Sequence, residues 1–287
     1  MDRKIKNKIQ GYRTTDGAGV SLVRILGNGT VEEFDPILML DSFDSTDPED
    51  YRGGFPLHPH RGIETISYIV KGGMRHRDSL GHADSISDGE LQWMTAGSGI
   101  MHEEMIPESE RILGVQLWLN LPRKDKMTPP RYQSIKRDSV REVPIEGGKL
   151  RLLAGNYREY SGFQGSHLPL DYYDIELGEG AELSIDTGAE NSVMIFTLLG
   201  EALVAGELIP EKTAVKLTEG DCLRLKGARG GSRILFMSSV ALKEPAVWGG
   251  PIVMNTKEEL RAAFRELSDG TFLKEEAIYS PYVGNNL

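Results

Sequence analysis

The chain has 287 residues, with 33 Lys plus Arg against 43 Asp plus Glu and a formal net charge of −10. At roughly 150 residues per domain, that length suggests about two domains. The acidity argues against a duplex-binding surface, which depends on clustered cations, while 39% hydrophobic and 26% charged residues describe a globular chain rather than a disordered one.

The single cysteine, Cys222, excludes an intramolecular disulfide and any CxxC zinc or redox site, and it fits a reducing compartment. The basic start MDRKIKNKIQGYRTT has no apolar stretch behind it, so it does not read as a secretory signal. The longest apolar run, residues 193–199, falls far short of the roughly 18 residues of a spanning helix. A cytoplasmic protein with no membrane segment is the expectation.

In chain order, glycine dipeptides at 53–54, 72–73 and 147–148 separate short apolar-rich runs, the punctuation of many short strands joined by tight turns. Between residues 111 and 122, Val115, Leu117, Leu119 and Leu121 alternate with Gln116, Trp118 and Asn120, as an extended strand requires. The polar stretch around residues 123–144, with Pro129-Pro130, reads as a link between two units. Tyr173, Ile175 and Leu177 resume the alternation, and after a Gly-Glu-Gly turn Ala181, Leu183 and Ile185 continue it. One segment differs: Thr256-Lys-Glu-Glu259 is a capping box ahead of Leu260, Ala263, Phe264 and Leu267 at helical spacing, predicting a helix over about 257–267.

A weak repeat links the halves. Ile86-Ser-Asp-Gly-Glu90 resembles Leu217-Thr-Glu-Gly-Asp221, and Ile69-Val-Lys-Gly72 loosely resembles Thr197-Leu-Leu-Gly200 at a similar offset. Two copies of one antiparallel β-sandwich or barrel follow, divided as 1–140 and 141–287.

Five of the six histidines fall between His58 and His102, and two short patterns stand out among them. His58-Pro-His60 is HxH and His102-Glu103-Glu104 is HxE. On extended backbone, residues i and i+2 share a face, so two such pairs on neighbouring strands can aim four side chains at one point. Three imidazoles and a carboxylate suit a divalent first-row metal and leave positions open on a six-coordinate ion. Pro59 lacks an N–H, which places this strand at an edge or a strand start. Read as ordinary surface or packing residues, His76 and His82 belong to a loop or pocket rim. His167 is expected to be structural, and Arg61 either places a cation near the metal or pairs with a carboxylate.

The segments GFPLHPHRGIETISYIVKGG (54–73), DGELQWMTAGSGIMHEEM (88–105) and GPIVMNTKEEL (250–260) resemble the pirin family of the cupin superfamily. The resemblance spans nearly the whole chain and implies an all-β bicupin with a short C-terminal helix. It implies one divalent metal, Fe(II), held in the N-terminal cupin by His58, His60, His102 and Glu104, while the ligand types alone suit Mn, Ni, Cu or Zn as well. Glu64, at the ligand position of many other cupins, is the reserve carboxylate, and Glu103 is expected to be solvated or paired. Carried across the repeat, the ligand positions land on Asp186, Gly188, Arg233 and Leu235, so the second cupin should lack a metal site.

For function, the resemblance implies a quercetin 2,3-dioxygenase, acting on a flavonol-like substrate and dioxygen with Glu104 as candidate base. The competing reading is a metal-dependent regulator working through protein contacts, with no direct nucleic-acid contact. There is no phosphate-binding GxxxxGK[ST], no GxSxG, no HExxH and no dinucleotide-binding glycine fingerprint.

Overall fold

The computed structural model describes residues 1–277. Each half pairs a seven-stranded antiparallel sheet with a four-stranded one. In the first, the seven-stranded sheet runs 131–135, 90–95, 63–71, 112–120, 37–45, 20–26 and 12–16 across its width. Facing it are strands 55–60, 100–105, 73–78 and 83–87. The second copy repeats the plan with strands 5–10, 213–217, 192–199, 232–239, 170–177, 148–154 and 141–145. Its four-stranded sheet is 182–186, 222–227, 202–204 and 207–209.

The alternation read along residues 112–120 sorts two cores. Val115, Leu117 and Leu119 join Tyr172, Phe196 and Leu235 of the second sheet in one cluster, so the two large sheets meet through their apolar faces. Trp118 and Gln116 point the other way, into the first sandwich. The two interiors then differ in kind. The second is filled by Val, Ile, Leu and aromatic residues, whereas the first buries Ser67, Gln92, Gln116, Glu104 and three histidine side chains beside its apolar residues. Burying that many polar groups costs free energy unless each finds a partner, which marks the first interior as the place to look for chemistry.

The termini cross between the sandwiches. Ile5–Gln10 completes the second large sheet by pairing with Thr213–Leu217, and buried Arg3 donates to Thr187 Oγ1, Gly188 O and Thr218 O at 2.7, 2.6 and 2.6 Å. In return the strand pair Val247–Gly249 and Ile252–Met254 lies against the first sandwich, bridging at Arg61 and Ile252. The predicted helix follows at Lys257–Ser268. Thr256 Oγ1 accepts from the Glu259 N–H at 3.1 Å and Glu259 Oε2 accepts from the Thr256 N–H at 2.9 Å. Ala263, Leu260 and Leu267 pack with Ile252, Met254 and Phe272, while Phe264 stays 43% exposed at the rim.

The tandem architecture stands, but one repeat match is out of register. The turn 86–90 precedes strand 90–95, whereas 217–221 follows strand 213–217, which holds the equivalent place in its sheet. Strand 100–105 therefore corresponds to 222–227, and Arg233 and Leu235 sit one strand further on. No helix among the described residues is long and apolar enough to cross a membrane.

Candidate metal centre

His58 and His60 lie on Phe55–His60 and His102 on Ile100–Met105, which pair antiparallel with His102 opposite His58. The burial of Ile100–Met105 alternates, with Ile100, His102 and Glu104 inward and Met101, Glu103 and Met105 outward. Glu103 accordingly meets Arg77 across the strand pair at 3.4 Å. The three histidines converge: one ring nitrogen from each lies within 4.8 Å of the others, and ring centroids are 4.3 to 5.0 Å apart. Among the described residues this is the one such cluster, and it belongs to the first sandwich.

The surroundings orient the rings. His58 Nδ1 lies 2.8 Å from Pro56 O, and His60 Nδ1 lies 3.0 Å from Pro251 O. Carbonyl oxygens only accept, so both Nδ1 atoms donate, and each ring in its neutral form carries its lone pair on Nε2. Those two Nε2 atoms face each other at 3.1 Å. With both rings neutral the two lone pairs repel at that distance unless an electrophile, a proton or a metal cation, lies between them. His102 is fully buried, and neither of its ring nitrogens has a hydrogen-bond partner among the described residues. Burial holds His60 and His102 neutral, the former pushed down to about 3, with the neighbouring His58 adding to both shifts. Neutral, oriented imidazoles with free nitrogens are what a divalent cation binds.

Glu104 shares the inward face of His102 but lies outside this cluster of nitrogens. Its Oε1 accepts from Gln92 and, at 3.2 Å, from Ser67, and its Oε2 accepts from Gln116 Nε2 at 2.8 Å. Trp118 Nε1 in turn donates to Gln116 Oε1 at 3.3 Å. Glu64 points from the opposite face of its strand, where Thr95 donates to it at 2.7 Å, and burial pushes its carboxyl up. The expectation that His76 belongs to a loop or rim is corrected: it is buried on strand Gly73–Asp78, bonded to Asp78 at 2.8 Å and stacked 4.0 Å from Tyr132. His82 reaches the same Asp78 from a half-exposed position, and His167 pairs with Asp125 at 3.5 Å.

Arg61 takes the second of its two expected roles. It is buried, pairs with Glu266 at 2.7 Å, and donates to Ser98 O and Phe272 O at 2.7 Å each. Its guanidinium is committed to those partners.

A cavity of about 690 Å³ opens onto His58 and His60, with Trp118, Trp248, Met39 and Phe55 on its walls. Its volume is in the range that encloses a drug-sized ligand. Trp118 packs edge-on to His60 at 4.9 Å and lies 5.5 Å from Trp248. Arg24 at the wall is neutralised by bidentate contact with Asp41, at 2.9 and 2.7 Å, and by Asp16 at 2.7 Å. A larger cavity of about 900 Å³ between the sandwiches touches none of the histidines.

Sequence reasoning found the histidines and missed their support. Pro251, Gln92, Gln116 and Trp248 carried no local signal, because their roles depend on pairings remote along the chain.

The family described as Pirin matches residues 19–119, and the Pirin C-terminal cupin domain matches residues 172–273. A pirin-like protein of Caulobacter vibrioides is 38% identical over 275 residues, covering 94% of this chain and 99% of its own. Pirin of Homo sapiens is 34% identical over 278 residues, covering 93% of this chain and 94% of its own. Among solved structures, quercetin 2,3-dioxygenase from Acinetobacter baumannii superposes with a TM-score of 0.87 at 30% identity, covering 95% of this chain and 99% of that one.

Proposed function

This chain belongs to the pirin family, and from that premise we propose that it is a metal-dependent dioxygenase that opens the heterocycle of flavonols such as quercetin. The observation that carries the reading is the pair of Nε2 atoms facing each other at 3.1 Å beside an unpartnered, buried His102. His58, His60, His102 and Glu104 are the proposed ligands, and Fe(II) the proposed ion. Such an ion supplies Lewis-acid and one-electron chemistry, which dioxygen needs to react with a closed-shell organic molecule.

The chain's own residues do the rest. Trp118 and Trp248 offer flat apolar surface to a planar aromatic substrate. The neutralised Arg24 leaves the wall without a free cation to favour highly charged anions. Glu104 takes the 3-hydroxyl proton at Oε2, the oxygen with one donor rather than two. Gln92 and Gln116 hold that carboxylate in place while the proton moves.

The test is turnover by iron-loaded protein: loss of quercetin, uptake of dioxygen and release of carbon monoxide in equal amounts. His102→Ala should lose both metal and turnover. Glu104→Gln should lose about 10²-fold or more in rate, the usual worth of a positioned base, and more in rate than in metal content. Quercetin consumption without carbon monoxide, or unchanged turnover in Glu104→Gln, would sink the assignment.

A further inference from the structure

We propose that the C-terminal strap, residues 247–272, is a working part of the metal centre, and that Lys126 is the positioning residue that locks it there. The inference rests on the metal reading above and concerns what sets the affinity of that centre.

The strap meets the His60 segment at successive residues. His60 Nδ1 donates to Pro251 O at 3.0 Å, and the Val253 N–H donates to Arg61 O at 3.1 Å. Lys126 Nζ then donates to Gly62 O at 2.8 Å, Val253 O at 2.9 Å and Asn120 Oδ1 at 2.5 Å. One ammonium thus ties the carbonyl two residues past His60 to the carbonyl two residues past Pro251, the acceptor that orients His60. The ammonium form of lysine carries three donors on one atom, which is what three oxygens from three separate segments require, and burial pushes Lys126 down to about 7, so the lock is complete below that pH. Lys126 is 2% exposed, so bulk water is kept from replacing its donors, and the other donor to Gly62 O, the Leu121 N–H, stands at 3.4 Å.

A second anchor secures the far end. Arg61 holds Phe272 O and Glu266 of the strap, and its Nε donates to Ser98 O, just before the strand that carries His102. Its guanidinium also lies 4.2 Å over the Phe272 ring. Strap position and imidazole position are therefore one mechanical unit. Any free energy that couples strap docking to metal binding acts equally in both directions. Trp248, Gly250 and Pro251 also line the cavity, so the same docking sets part of the pocket wall.

The experiment titrates the full chain with Ni(II), an air-stable probe, by calorimetry in wild type, Lys126→Met and Glu266→Gln. Hydrogen exchange of peptides spanning residues 250–255 is followed with and without the ion. Lys126→Met should bind Ni(II) about 10- to 100-fold more weakly, the range for groups that orient metal-binding histidines, and Glu266→Gln should change in the same direction by less. Saturating Ni(II) should slow exchange at Val253 in wild type. If Lys126→Met fails to fold, Glu266→Gln and wild-type exchange decide the matter, because Glu266 is partly exposed. Wild-type affinity in the folded variants, or strap exchange indifferent to Ni(II), overturns the inference and leaves the metal reading intact. No Ni(II) binding by wild type overturns both.

Discussion

At the scale of single residues, the candidate centre contains two imidazoles, those of His60 and His102, that burial keeps neutral. His60 titrates near 6.5 when unfolded and near 3 in the folded, metal-free protein, because burial and the neighbouring His58 both disfavour its charge. Between those values the unfolded chain binds the extra proton. The stability this group allows is therefore fully present above pH 6.5 and is lost progressively as pH falls toward 3. Urea midpoints measured in a chelator should fall across that window, and should fall less steeply in His60→Gln. Parallel profiles for the two proteins would refute the sign or the site. The histidines were legible in sequence because i and i+2 spacing is a local property of extended chain. Pro251 was not, since it lies 191 residues from its partner His60, and a backbone carbonyl has no sequence signature.

At the scale of elements, the turn after the HxH strand shows how little room the strap leaves. Gly62 has φ +78°, and a Cβ there would stand 2.0 Å from Val253 O and 3.0 Å from Lys126 Cδ. Gly62→Ala should cost about 1–3 kcal/mol from backbone conformation and more from displacing the strap. Gly19, at φ +91° with open space where a Cβ would stand, is the control that suffers only the first penalty on substitution to alanine. Equal losses in chemical denaturation would show that the strap yields freely. Strands and helix were readable here from alternation and from the Thr256–Glu259 capping box. The misplaced repeat has a plain cause: acidic-glycine turns close many hairpins in an antiparallel sandwich, so such a motif identifies a hairpin without saying which one.

At the scale of the whole molecule, the two sandwiches are joined by more than their shared apolar face. Tyr68 donates to Asp174 Oδ2 at 2.6 Å across the junction, and Arg151 reaches Tyr68 at 3.0 Å. The crossing of the termini was invisible in sequence, because a strand such as Ile5–Gln10, half-buried at every second residue, carries no mark of the edge it will join. Deleting residues 1–10 should raise hydrogen exchange at Thr213–Leu217 while leaving Ni(II) affinity near that of the full chain. A large loss of affinity on that deletion would instead make the second sandwich a direct support of the centre. The return of the strap has a consequence in time. A growing polypeptide presents His58, His60 and His102 to the cell long before Pro251 and Val253 have been translated. On the proposal above, until they arrive the three imidazoles lack the contacts that orient His60, and full metal affinity is reached only when the strap docks.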